Sequence, residues 1–110
     1  MDEKRGDQRY ETQAKVKIDG IENTDIQLKD ISVAGCQVLC PGGAEIVLDK
    51  KYKMQITPET EAEIGLFDLV VESKWVRTGD YFSEIGFFII ESPKGKQFQH
   101  YVDYLSWRSQ

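Results

Sequence analysis

Two short stretches of this chain hold side chains whose types and spacing suit the capture of an anion. In RGDQR, residues 5–9, Arg5 and Arg9 bracket the turn-prone pair Gly6-Asp7. If the segment turns, the two guanidinium groups converge; if it is extended, they face the same way about 13 Å apart, enough to span more than one phosphate. A guanidinium is a planar fork that grips phosphate through two parallel hydrogen bonds and also matches O6 and N7 of a guanine edge. In DISVAG, residues 30–35, Asp30 and Ser32 lie two apart and share a face of an extended segment. The carboxylate can accept from the N–H edge of a guanine, and the hydroxyl can donate to phosphate or base. Gly35 permits either a positive φ or a close backbone approach. Each stretch alone also reads as something plainer, a solvated charged segment or an ordinary turn between strands.

The elements that must position these groups follow from the apolar pattern. Ala14, Val16 and Ile18 alternate with polar residues, as do Ile26 and Leu28, then Cys36, Val38 and Cys40, then Tyr52, Met54 and Ile56. A period of two marks strands with one buried face. LFDLVVESKWV and FSEIGFFII are denser in β-branched and aromatic residues and predict two longer central strands. The segments between these six strands are rich in Gly, Pro, Asp, Asn and Thr, the residues of turns. After ESPKGK the period changes: Phe98, Tyr101, Val102 and Leu105 follow the i, i+3, i+4, i+7 spacing of one helix, expected at about 93–108 with Ser92 as N-cap and Pro93 in its first turn. Six strands without interleaved helices predict an antiparallel sheet closed into a small barrel, with the helix packed on it or across one mouth. Residues 1–12 carry no burial pattern and are expected to form a flexible N-terminal arm, with 13–110 as the barrel and its helix.

Composition narrows the function. With 14 Lys and Arg against 19 Asp and Glu the net charge is -5, so the average field repels nucleic acid and anionic membrane, and an anion must be held by a local cluster. That argues against a barrel for single-stranded nucleic acid. The start has no apolar leader and no run approaches the roughly 20 apolar residues of a membrane span, which predicts a cytoplasmic protein without membrane insertion. Cys36 and Cys40 fit neither a redox pair nor half of a zinc site and read as small buried hydrophobes. Trp75 and Trp107 read as packing residues, and His100 as a surface residue. No nucleophile stands with a matched base, so no enzyme, metal or cofactor is expected.

Taken together, R-x-x-x-R at Arg5 and Arg9 and D-x-S-x-x-G at Asp30, Ser32 and Gly35 resemble the two signatures of the PilZ domain family, every fixed position being present. VVESKWVRTGDYFSEIGFFII is similar to the family's late hairpin. The resemblance implies a six-stranded antiparallel PilZ-type β-barrel with a C-terminal helix, and a bacterial receptor for the second messenger cyclic di-GMP. It further implies that Arg5 and Arg9 clamp bases and phosphates, that Asp30 and Ser32 read a guanine edge, and that Gly35 gives clearance. Lys4 precedes the pair; in the family a basic residue there tends to accompany a stacked pair of ligands, although a solvated lysine fits as well. With no room for an output domain, the chain is expected to signal to a protein effector in trans by ordering its arm, in motility, attachment or exopolysaccharide control. The alternative is an interaction module that acts independently of the nucleotide.

Overall fold

Val16 and Ile18 turn inward while Lys15 and Lys17 turn out, and this alternation repeats around the molecule. The computed structural model describes residues 8–22, 25–42, 46–92 and 96–109. Lys4 and Arg5 lie outside the described residues, as do Pro93 and Gly95. The strands are β1 (Tyr10–Glu11), β2 (Lys15–Ile18), β3 (Gln27–Ile31), β4 (Gly35–Pro41), β5 (Lys51–Thr57), β6 (Phe67–Thr78) and β7 (Phe82–Glu91), followed by α1 (Gln97–Arg108).

Hydrogen bonding runs β3-β2-β5-β6-β7-β4 and returns from β4 to β3, so six antiparallel strands close into a barrel. Closure pairs the strand edges that an open sheet would leave exposed. β1 is an addition to that ring. It pairs with β3 at Tyr10↔Ile31, ahead of the point where β2 joins the same strand at Lys15↔Gln27, so β1 and β2 behave as one interrupted strand. Tyr10 packs partly against the core and Thr12 is buried. The expected arm, residues 1–12, includes Tyr10 and Glu11, which pair with β3, and Thr12, whose N–H donates to the Lys29 carbonyl at 3.2 Å. One apolar ring at Tyr10 and one buried hydroxyl at Thr12 are too sparse a pattern to show as alternation.

The core is the inward set of the strands: Val16, Leu28, Val38, Met54, Ile56, Leu69, Val71 and Ile85 are among its buried members. Cys36 and Cys40 join Val38 on that face as free thiols. Burial is the main reason that the Cys36 thiol is pushed up to about 12, with the charge of Asp30 adding to it. A thiol held that far from ionising is an inert packing group.

Phe98, Tyr101, Val102 and Leu105 give α1 its apolar face, and the aromatic rings of Phe98 and Tyr101 sit 6.0 and 5.9 Å from that of Phe67 at the start of β6. The helix begins four residues later than expected, with Lys96 and not Ser92 at the N-cap position and no side-chain cap. The apolar i, i+3, i+4, i+7 set begins only at Phe98, so burial supports the helix from about that point onward. Among the described residues no helix is long and apolar enough to cross a membrane.

Candidate functional site

The site is built by a bulge. Between Leu28 and Asp30 the register of β3 against β4 shifts, leaving Lys29 as the extra residue. Leu28 and Ile31, three apart, are therefore both in the core, at 1% and 0% exposure. A regular strand would have sent Asp30 inward with Leu28. The bulge turns it to the outer face of the sheet, where it lies opposite Glu11 of β1 and Gln37 of β4 and is itself covered to 9% exposure.

Two carboxylates directly opposite each other on neighbouring strands repel. Arg9 relieves this pair: its Nη1 donates to Asp30 Oδ1 at 2.9 Å, across 21 positions of sequence. The Asp30 side chain is 13% exposed beneath it, while the Arg9 side chain keeps 45% of its surface in solvent. The guanidinium thus has donors left for a second acceptor. Of the sequence-predicted residues, Arg9 and Asp30 are brought together.

Ser32 and Gly35 act on the turn that joins β3 to β4. Ser32 Oγ accepts from the backbone N–H groups of Ala34 and Gly35, both at 3.1 Å, and the Ser32 N–H donates to the Gly35 carbonyl at 2.8 Å. The hydroxyl is buried inside the turn at 1% exposure, so it sets the turn's shape while Val33 stands out at its tip. Gly35 does not occupy the left-handed region. A Cβ placed there would meet the Phe87 carbonyl oxygen at 2.6 Å. Of the two uses of glycine anticipated at this position, close approach of β4 to β7 is the one found.

The registers continue the row across the outer surface: Asp30 lies opposite Gln37, Gln37 opposite Gly86, and Gly86 opposite Trp75. Here a second bulge, between Ser73 and Trp75, sends Ser73 inward and the indole out. A Cβ at Gly86 would come within 2.3 Å of Trp75 Nε1 and Cε2, so the missing side chain is what lets the indole lie over the barrel backbone. The Arg77 guanidinium carbon sits 5.6 Å from that ring. Glu84 takes Lys29 Nζ at 2.8 Å on one oxygen and Arg77 Nη1 at 3.0 Å on the other. Its carboxyl is held below the ordinary range chiefly by the hydrogen bond from Lys29.

Sequence reasoning missed Gln37 and treated Trp75 as a packing residue. The available signal was Gly86 in the middle of a strand, a position where glycine marks close approach by another group. Trp107 was also read as a packing residue and is instead 68% exposed on α1, because the helix rests on the barrel through the opposite face.

One transverse row therefore presents a guanidinium, a carboxylate, an amide and an indole face, with a Lys29-Glu84-Arg77 chain of net charge +1 beside it. Such a set can bind a planar base and an attached anion. A groove of about 710 Å³ borders Asp30 and reaches Tyr104 and Arg108 of α1. Glu11, Asp30, Glu59 and Glu61 line it against Lys29 and Arg108, and the excess of carboxylates makes it a poor seat for an anion.

The fold is a PilZ-type barrel: six antiparallel strands closed on themselves with one C-terminal helix. The structure is similar to that of the Bacillus subtilis inhibitor of motility (MotI/DgrA), with a TM-score of 0.74 and 18% identity over 92% of this chain. The chain spans about half of that protein, 48% of its length. No protein-family model matches the sequence, and no curated protein sequence matches it.

Proposed function

We propose that this domain is a receptor for cyclic di-GMP that signals to a protein partner. The observation that carries the reading is the meeting of Arg9 with Asp30 on the outer surface, in one row with Trp75. Arg9 supplies a fork for phosphate or guanine, Asp30 an acceptor for guanine N–H groups, and Trp75 a plane on which a base can stack. Cyclic di-GMP carries two phosphates and two guanines, so it can engage these groups together with Arg5 from the segment before them. Ser32 and Gly35 contribute by holding the turn that bears Asp30. The likeness to a motility inhibitor supports a bacterial signalling role, and motility is the behaviour we propose first.

The Arg9-Asp30 bond also suggests how the ligand acts. A phosphate that takes the remaining donors of Arg9 adds to the Arg9-Asp30 pair a second bridge between the segment before β1 and the barrel. Residues fixed in this way cost about 1 to 2 kcal/mol each in backbone entropy, which lowers net affinity but produces a large change of surface. A partner can read that change. The second reading, an interaction module independent of nucleotide, draws on the exposed Trp107 of α1.

Calorimetric titration with cyclic di-GMP, GMP and a short oligonucleotide tests the assignment. Saturable binding of cyclic di-GMP alone, lost in Asp30→Ala with the barrel still folded by circular dichroism, is the expected result. Absence of heat with cyclic di-GMP overturns it and leaves the interaction module.

A further inference from the structure

Glu59 stands in the β5–β6 connection, immediately before a single turn of 3-10 helix at Thr60–Ala62. Its two oxygens gather groups from distant parts of the chain. Oε1 accepts from the Tyr101 hydroxyl at 2.6 Å, and Oε2 accepts from Arg108 Nη1 at 2.6 Å. The Tyr101 hydroxyl is also hydrogen-bonded to Thr12 Oγ1. The second nitrogen of Arg108, Nη2, donates to the carbonyl oxygen of Glu11 at 2.8 Å. Thr12 and Tyr101 are buried, at 6% and 0% exposure. One carboxylate thus ties β1 to the last turn of α1.

This matters because β1 is only two residues long. A pairing that short is marginal without further support. Beyond its register with β3, the Thr12 N–H to Lys29 carbonyl bond at 3.2 Å and the packing of Tyr10 against the core, β1 is held by this network. Arg9 lies three residues before Thr12, so whatever fixes Thr12 fixes the root from which Arg9 reaches Asp30.

We infer that Glu59 is a positioning residue for the ligand site: it locks β1 to α1, so that Arg9 is presented to Asp30 and occupancy of the site is coupled to the Arg108 end of the helix. The coupling rests on the receptor reading above; the locking of β1 does not. Linkage makes the effect reciprocal. Ligand that draws on Arg9 strains or tightens the Glu11 carbonyl contact with Arg108, and a partner that grips the exposed Trp107 turn alters affinity at the ligand site.

Amide exchange followed by NMR, with and without cyclic di-GMP, tests both halves. In the ligand-free protein Glu59→Gln should speed exchange at Thr12 by about tenfold, the equivalent of one charge-assisted hydrogen bond, while Met54 and Leu69 in the barrel stay protected. Thr12→Val, which leaves Glu59 with Tyr101 and Arg108, should do the same, and Thr12→Ser should restore the parent rate. Unchanged exchange of the position-12 amide in Thr12→Val overturns the positioning role even if Glu59→Gln fails to fold. With ligand, exchange at Arg108 and Ser109 in the parent should change and in Glu59→Gln should not; equal responses in both overturn the coupling. A parent that binds no cyclic di-GMP sinks the receptor reading and the coupling with it, while the ligand-free comparison still decides the locking of β1.

Discussion

Replacing Arg9 by lysine and by alanine separates two roles that the structure gives one side chain. In the protein alone, Arg9 bridges to Asp30 and relieves its apposition to Glu11. The Arg9 side chain is 45% exposed, so solvent screens the pair and its worth to folding is about 0 to 1 kcal/mol. A lysine retains the charge and should recover most of that. Toward a ligand the demand is different, because phosphate or a guanine edge uses two parallel donors of a planar fork, which an ammonium lacks. Hydrogen bonds involving charged groups contribute about 1.5 to 3 kcal/mol each, or roughly tenfold to a hundredfold in affinity. Arg9→Ala should therefore lower the melting temperature slightly and abolish tight binding, whereas Arg9→Lys should melt near the parent and still bind about tenfold or more weaker. Paired melts and calorimetric titrations check this. A lysine variant that binds as tightly as the parent would refute the fork argument, and one that melts no higher than the alanine variant would refute the charge argument.

Gly35→Ala should destabilise the barrel by about 1 to 3 kcal/mol, since the Phe87 carbonyl 2.6 Å from the new Cβ is backbone and can move only with its strand; a melt indistinguishable from the parent would contradict it. Gly86→Ala meets a side chain instead, so it should cost less stability while displacing Trp75, read as a red shift of tryptophan emission and weaker ligand binding. Acid melts should find the Glu59 network weakening only below about pH 4.5. Burial alone would raise the Glu59 carboxyl, but the Tyr101 hydrogen bond and the Arg108 charge overcome this and hold it below its ordinary value of 4.5. Its folded-state value being the lower, the carboxylate's contribution is complete above about pH 4.5 and fades as pH falls further, so Glu59→Gln should flatten the parent's pH dependence of stability in that range and leave pH 7 to 9 unaffected.

The six strands and the single helix were legible in the sequence, because alternation and the 3.6-residue period are imposed locally by which face is buried. Val16, Val38 and Met54 announce their strands by parity alone, and the four-residue spacing of the R-x-x-x-R motif and the turn chemistry of Asp30, Ser32 and Gly35 are properties of short segments. What only the tertiary structure decided depends on neighbours distant in sequence. The bulge at Lys29 reverses the parity of Asp30, and it exists because Leu28 and Ile31 both find room in a core closed by strands from the far end of the chain. Gly35 and Gly86 are clearances whose reasons, the Phe87 carbonyl and the Trp75 indole, lie on other strands. β1 was invisible because a two-residue strand has no period to detect. It is held by β3, Tyr101 and Arg108, contacts between groups up to 97 residues apart that no local pattern encodes.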